Sequence, residues 1–199
     1  MIPVGDSNRR HTTPWVTYAI ILLNFAAFIY MLTLPSDPEI VGQNRRGEDL
    51  VEVRTDLPGC YGLQTVDTEA DRFLCDYAFQ PGEFFDSVTG ETPESGGERW
   101  TALLSIVTAM FLHLGWLHIL GNMLFLWVFG DNIEDRLGHF TYALFYLLAG
   151  VVASFIQGAL DPQSVVPVLG ASGAVAGVLG AYLIWFPHAT VRVVVPLFI

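Results

Sequence analysis

The chain contains no lysine: all nine of its basic residues are arginines, against twenty acidic residues, for a formal net charge of −11. A lysine nucleophile, a Schiff base and a Ser–Lys dyad are therefore excluded within these 199 residues. Charge of either sign is also scarce, since 15% of the residues are charged, compared with roughly a quarter in soluble domains. Together with 52% hydrophobic residues and a mean hydropathy of +0.47, this composition is typical of a membrane protein.

Most of the charge lies in one segment, residues 36–99, which holds fifteen acidic residues and five arginines. The low pI therefore describes this insertion, and the rest of the chain is nearly neutral, which disfavours nucleic acid as a partner. The chain has two cysteines, Cys60 and Cys75, and both fall in the insertion. In an oxidising compartment a disulfide between them is predicted, with two free thiols as the alternative.

Long apolar runs predict an all-α membrane protein with one polytopic domain over residues 1–199. Trp15–Leu34 has twenty residues without a charge, which is long enough to cross the hydrocarbon core of a bilayer. About four complete spans and the start of a fifth are predicted, with the acidic residues 36–99 as a long loop or small subdomain after the first. The later segments are a surface or amphipathic helix at 100–112, spans at 114–130, 140–160 and 172–186, a charged turn at 130–138, and a fifth apolar run from 193.

The arginines predict the orientation of these spans. Arg9 and Arg10 precede the first span, which favours a cytoplasmic N-terminus. With alternating spans, the turns that carry Arg136 and Arg192 also lie inside, whereas the acidic segment lies outside. We therefore expect a multi-pass protein of the cell membrane, with the lipid bilayer as its surroundings.

Ser172 is the first residue of the fourth predicted span, in the stretch VPVLGASGAVAGVLGAY. Its fifteen-residue helix covers about 22 Å, less than the roughly 30 Å hydrocarbon core, so the loop before it dips into the bilayer. Irregular backbone at that depth requires burial in protein or a water-filled cavity. Unpaired N–H groups at the helix N-terminus could stabilise an oxyanion beside the hydroxyl. The alternative is a small residue that only fills space.

Gly170, Gly173, Gly177 and Gly180 recur every three or four residues around this serine. The spacing gives the helix a face without side chains, which allows another helix backbone to approach closely. For these glycines, ordinary membrane packing is the main interpretation. Such packing would also hold the start of the helix in place.

His118 and Asn122 are four residues apart in the second span and therefore share one helix face. Polar side chains within a membrane usually face the bundle interior or a cavity. Either side chain could donate a hydrogen bond to a developing oxyanion; an interhelical hydrogen-bonded pair is the alternative. A metal site is disfavoured, because HExxH is absent and His113 and His118 are five residues apart, on different helix faces.

GASG at residues 170–173, HxxxN from His118 to Asn122 and the preceding His113 resemble the rhomboid family of intramembrane serine proteases. The resemblance covers the first span and residues 100–199, and it does not extend to the acidic segment. GxSG alone is a weak signal, whereas GxSG with an upstream HxxxN at this spacing is specific. His113 and Gly173 belong to the motifs as supporting residues.

The resemblance implies a six-helix bundle with an aqueous cavity that is open to the outside. By this resemblance Ser172 is the nucleophile, and His118, Asn122 and the backbone N–H of Ser172 form the oxyanion hole. Gly170 would lie in the loop that shapes this hole. The partners would be transmembrane protein substrates, cleaved near their outer ends, and no cofactor is implied. The oligomeric state stays open.

The family pattern also needs a histidine base on a sixth helix, and this chain ends in the fifth predicted segment. His188 lies sixteen residues beyond Ser172 on a nearly continuous helix, about 24 Å away, which is too far for a base. His139 and His11 are predicted on the inner side, and His118 as the base would depart from the family roles. We therefore expect a truncated chain with little or no proteolytic activity by itself. A catalytically inactive relative that binds transmembrane clients is the first alternative, and a transporter or channel fragment is the second.

Overall fold

A computed structural model of the protein describes residues 2–8, 10–35, 40–43, 49–51, 68–90, 96–164 and 166–195. The chain forms two compact units: residues 1–28, 110–154 and 170–199 make the first, and residues 29–109 and 155–169 make the second. In chain order the elements are β1 (Ile2–Asp6), α1 (Trp15–Thr33), β2 (Ile40–Gln43), β3 (Asp49–Val51), α2 (Glu69–Tyr77), α3 (Pro81–Thr89), α4 (Gly96–Thr108), a 3₁₀ turn (Ala109–Phe111), α5 (Trp116–Leu137), α6 (His139–Leu160), α7 (Ser172–Trp185) and β4 (Val191–Val194).

The helices have the length and composition of a membrane protein. In the described part of the chain, α1 and α6 are long and apolar enough to cross a bilayer, and α5 makes a third span if it is joined with the helical stretch Trp100–Phe111. The apolar helix α7 is shorter, with 14 residues. The helical membrane fold is thus confirmed, whereas the count of four complete spans stays a prediction.

The core of the first unit is built on one stripe of α5. Ile119, Leu126 and Ile133 recur every seven residues and are 0% exposed. This spacing keeps them on one face of a helix. They pack in a single cluster with side chains of α7, among them Val178 and Tyr182. The stripe therefore fixes α5 against the helix that begins at Ser172.

Two glycines of α7 allow close packing against α6, as the sequence predicts. A Cβ atom added to Gly177 would lie 2.6 Å from the Cβ of Ala149, and one added to Gly173 would lie 2.6 Å from the Cβ of Ala153. No atom of the described residues lies within 4 Å of the corresponding position at Gly180. Only part of the glycine face is therefore a packing surface in the described structure.

We expect Gly177→Leu to destabilise the fold, because the added side chain has to push α6 and α7 apart. Overpacking of this kind costs about 1–3 kcal/mol. Gly180→Leu is the matched control, since it adds the same side chain to open space on the same helix. The thermal midpoint in detergent is the measurement, and equal midpoints for the two variants would contradict this packing.

The fifth apolar run is not a helix where the structure describes it. Residues 191–194 form β4, which pairs antiparallel with β1 in the register Ile2↔Val194 and Asp6↔Val191. The β-branched valines of this run favour a strand once a partner is present. The prediction of a fifth span starting at 193 is therefore wrong for residues 193 and 194, while residues 196–199 lie outside the described part. The small sheets β1–β4 and β2–β3 are additions to the predicted all-α architecture.

The predicted charged turn at 130–138 is also wrong, because α5 continues to Leu137. The helix ends at Gly138, whose φ is +78° and whose N–H donates to the carbonyl of Glu134 at 2.8 Å. The charges do not break the helix, because Glu134 and Asp135 accept hydrogen bonds from residues 11–17.

The second unit contains the described part of the acidic insertion, which forms the strands β2 and β3, the helices α2 and α3 and the start of α4. Thr68 begins α2 with a capping box that it shares with Asp71. Phe79 forms an isolated antiparallel bridge with Val168, and the N–H of Gly82 donates to the carbonyl of Ser164 at 3.0 Å. Residues 68–90 thus contain two helices that are held on the loop that follows α6, whereas the predicted extracytoplasmic position of the segment stays a prediction. Cys75 is buried in α2, whereas Cys60 lies outside the described residues, so a bond between them stays a prediction.

Candidate active site

Ser172 is the first residue of α7 and its side chain is exposed. The residue before it, Ala171, is fully buried, and its carbonyl accepts the first helical hydrogen bond from Val175 at 2.9 Å. A buried residue thus anchors the helix start, and the serine hydroxyl is left accessible. The position of Ser172 at a helix N-terminus, expected from the sequence, is confirmed.

Gly170 turns the chain into this helix start. Its φ of +117° is a conformation that side chains disfavour and glycine tolerates. A Cβ atom here would lie 2.7 Å from both Cε1 and Nε2 of His118. The missing side chain therefore serves two needs, the backbone turn and the close approach of the imidazole to the loop before Ser172.

Asn122 lies one helical turn after His118 on α5 and is 8% exposed. Its Nδ2 donates to the backbone carbonyl of His118 at 3.0 Å and lies 3.3 Å from Nε2 of His113. The side-chain amide has two N–H groups. Both are therefore directed at protein acceptors in this structure.

His113 is buried beside this pair, with 1% of its surface exposed. Its Nε2 accepts the backbone N–H of Ala171 at 3.4 Å, and its ring centroid lies 4.9 Å from that of His118. The sequence interpretation that the two histidines occupy different helix faces is wrong. Residues 112–115 lie outside the helices, so His113 precedes α5 and folds back onto it.

Ser172, His118 and Asn122 line one cavity of about 370 Å³. This volume lies within the range of small-molecule and cofactor sites, roughly 300–1,000 Å³. The rest of the wall is small or apolar and comes from α5 and α7: Leu117, Gly121, Phe125, Val175, Ala176 and Leu179. The hydroxyl of Ser172 can attack a carbonyl, and the imidazole of His118 and the carboxamide of Asn122 can donate hydrogen bonds to the oxyanion that results.

The remaining predicted residues lie elsewhere. Gly173 packs against Ala153 of α6. At the other end of α5, Nδ1 of His11 is hydrogen-bonded to the carboxylate of Asp135, and Nδ1 of His139 lies 2.5 Å from Oε1 of Glu134. Among residues that the structure describes, no group of three or more His, Cys, Asp or Glu residues could hold a metal ion.

Sequence reasoning missed two features of this unit. The first is the contact of His113 with Ala171 and Asn122, which depends on a non-helical break that the apolar pattern does not mark. The second is the buried carboxylate of Glu134, which accepts hydrogen bonds from the start of α1. In the sequence Glu134 belongs to the charged stretch 130–138, which predicts a turn and gives no indication that the carboxylate is buried.

Together, these observations define a helical membrane protein with a serine, a histidine and an asparagine in one cavity. Residues 98–199, slightly more than half of the chain, match the sequence model of the Rhomboid domain. The chain therefore belongs to the rhomboid family.

Individual relatives agree with this assignment. RHOMBOID-like protein 2 of Arabidopsis thaliana is 28% identical over 182 residues, which cover 86% of this chain and 50% of that protein. Rhomboid protein 1, mitochondrial, of Saccharomyces cerevisiae is 38% identical over 46% of this chain and 28% of its own length. Rhomboid protease GluP of Bacillus subtilis is 40% identical over 44% of this chain and 16% of its own length. The chain thus spans half or less of the length of these relatives.

Proposed function

We propose that this chain belongs to an intramembrane serine endopeptidase that cleaves transmembrane helices of client proteins. Ser172 is the nucleophile in this proposal. His118, Asn122 and the backbone N–H of Ser172 stabilise the oxyanion that forms when the hydroxyl oxygen attacks the peptide carbonyl. The names of two Bacillus subtilis relatives, Rhomboid protease GluP and Putative rhomboid protease YdcA, support this activity.

The single observation that carries the proposal is the shared cavity of Ser172, His118 and Asn122. The accessible hydroxyl and the two polar side chains border the same space, whereas the rest of its wall is small or apolar. Preorganised donors in such a wall stabilise developing charge more strongly than donors in water.

The base that removes the hydroxyl proton is, in this proposal, a histidine outside these 199 residues. The chain has five histidines. His11 and His139 contact carboxylates at the far end of α5, and His188 lies beyond the C-terminal end of α7. His113 already uses Nε2 to accept the N–H of Ala171. His118 is the one histidine that lines the cavity, and its contact with Gly170 fits an oxyanion donor.

The proposed location is the cell membrane, with a cytoplasmic N-terminus and a cavity that opens to the outside. Arg136 and Arg192 lie on the same side as the N-terminus in this orientation. The substrate is then a transmembrane helix that unwinds near its outer end and exposes a carbonyl to Ser172. Relatives with mitochondrial or chloroplastic names make other membranes the alternative.

The test compares this 199-residue chain with the same chain extended through the next hydrophobic segments, both reconstituted in vesicles with a fluorogenic transmembrane substrate. We expect hydrolysis by the extended chain and little by the shorter one, because an absent base removes proton transfer. A fluorophosphonate probe should label Ser172 in the extended chain. Equal hydrolysis by both chains would contradict an external base.

The alternative is a catalytically inactive rhomboid-like protein that binds transmembrane clients in the same cavity. The same experiment separates the two functions. A binder retains the client, shows no hydrolysis in the extended form and leaves the probe unreacted, because its serine is not activated.

A further inference from the structure

His113 has no role in the chemistry proposed above, yet it contacts two different parts of the site. Its Nε2 lies 3.4 Å from the backbone nitrogen of Ala171 and 3.3 Å from Nδ2 of Asn122. Ala171 directly precedes Ser172 in the chain. One buried ring atom therefore connects the serine loop to a proposed oxyanion donor.

Both neighbours of this ring atom are donors. A backbone N–H can only donate, and so can the nitrogen of a side-chain amide. With both contacts formed, Nε2 is the unprotonated acceptor, and the proton of a neutral ring lies on Nδ1, a buried atom that makes no hydrogen bond of good geometry within the described residues. The contacts thus select one tautomer of His113.

The two hydrogen bonds of Asn122 are unequal. The bond to the carbonyl of His118 is 3.0 Å long, whereas the contact with His113 is 3.3 Å. The bond to the carbonyl lies within the usual 2.7–3.2 Å range of N–H···O hydrogen bonds, whereas the contact with the ring nitrogen of His113 is longer and is the weaker of the two. The N–H that points at His113 is therefore the one that is more easily released to another acceptor in the cavity.

We propose that His113 is a positioning residue for the oxyanion hole. Its Nε2 accepts hydrogen bonds from both the side-chain amide of Asn122 and the backbone N–H of Ala171. This shared acceptor fixes the position of Asn122 relative to the start of α7. As negative charge develops beside Ser172, one N–H of the Asn122 side chain turns from His113 to the oxyanion, whereas the backbone N–H of Ala171 is held by the start of α7 and stays directed at His113. This inference rests on the proposed function of Ser172.

Three substitutions separate positioning from space filling. In His113→Gln, the side-chain oxygen reaches about as far as Nε2 and can accept two N–H groups. His113→Asn has the same amide on a shorter side chain, and His113→Leu fills the space without an acceptor. In the full-length protein, meaning the chain with any residues that follow Ile199, we expect kcat to fall roughly 10- to 100-fold in the Leu and Asn variants. KM should change little, and the Gln variant should recover most of the rate.

The kinetic outcome distinguishes this role from a purely structural one. If His113 only fills space, the Gln variant will be no better than the Leu variant, and the losses will follow the thermal midpoint. A Leu variant with wild-type kcat would also overturn the inference. The proposed function is tested separately in the same assay by Ser172→Ala. If that variant matches the wild type, the proposed function fails, and the role of His113 in it fails as well.

A second measurement does not depend on activity. The ¹⁵N spectrum of the histidine-labelled protein, assigned with His113→Gln, should show a His113 ring that is protonated on Nδ1 and unprotonated on Nε2. A proton on Nε2 would overturn the inference even in an active enzyme, because Nε2 could then accept neither amide.

Discussion

Ser172→Ala is expected to lower hydrolysis of a transmembrane substrate by the full-length protein by roughly a thousandfold or more. If Ser172 is the nucleophile, as proposed, the alanine removes the oxygen that forms the acyl intermediate, so the remaining rate comes from binding and the oxyanion hole. The side chain is exposed and makes no hydrogen bond within the described residues, so its loss should leave the fold intact. The measurement is the initial rate in vesicles, together with labelling by a fluorophosphonate.

Ser154→Ala is the matched control for this prediction. Ser154 is also a serine of an apolar helix, α6, but it does not line the cavity. We expect wild-type rates and labelling from this variant. A Ser172→Ala protein that still hydrolyses the substrate at the wild-type rate would exclude Ser172 as the nucleophile, and retained probe labelling would show that another residue reacts.

The apolar pattern predicts the membrane helices because the length of a span is a local property of the chain. The predicted spans 15–34 and 140–160 correspond to α1 at Trp15–Thr33 and α6 at His139–Leu160. The predicted helix 172–186 corresponds to α7 at Ser172–Trp185. The site follows from these helices to a large extent, since the i, i+4 spacing of His118 and Asn122 directs both side chains to one face.

Non-local contacts explain where the sequence predictions were wrong. Residues 191–194 form a strand because residues 2–6 pair with them, and no local pattern identifies a partner so far away. His113 reaches Ala171 across 58 positions of the chain. The charged end of α5 is a similar case. Its carboxylates accept hydrogen bonds from residues 11–17, and the local sequence, which predicts a turn, does not reveal these distant donors.

Glu134 is the clearest case of a charge that the tertiary structure requires. Its side chain is 0% exposed. Its carboxylate accepts the backbone N–H of Val16 at 2.9 Å, and the N–H and hydroxyl of Thr17 at 2.8 and 2.7 Å. The first N–H groups of a helix have no partners within it, and the dipole there is positive. Because α1 has no acidic residue in its first turn, Glu134 supplies the missing acceptor from another helix.

Glu134→Leu is therefore expected to cause the largest loss of stability among the substitutions discussed. It leaves two backbone N–H groups, a hydroxyl and the nearby His139 without their acceptor in a buried place. Breaking a buried charged interaction of this kind costs about 3–5 kcal/mol. For a chain of this size, that loss corresponds to a fall in thermal midpoint on the order of 10 °C. Glu134→Gln should give an intermediate fall, because its carboxamide oxygen still accepts, whereas the NH₂ group that replaces the other carboxylate oxygen faces donors.

Asp135→Asn provides the control from the adjacent position. Asp135 also accepts hydrogen bonds from the segment before α1, through Thr12 and His11, but its side chain is 15% exposed. Because water can replace these bonds, we expect a loss of about 1 kcal/mol or less. Equal midpoints for Glu134→Leu and Asp135→Asn would contradict a special role for the buried carboxylate.

Glu134 lies twelve residues beyond Asn122 on α5, about 18 Å along the helix axis, so the rate per folded molecule of Glu134→Gln should stay near that of the wild type. A selective loss of kcat in folded protein would instead show that Glu134 acts on the chemistry at Ser172.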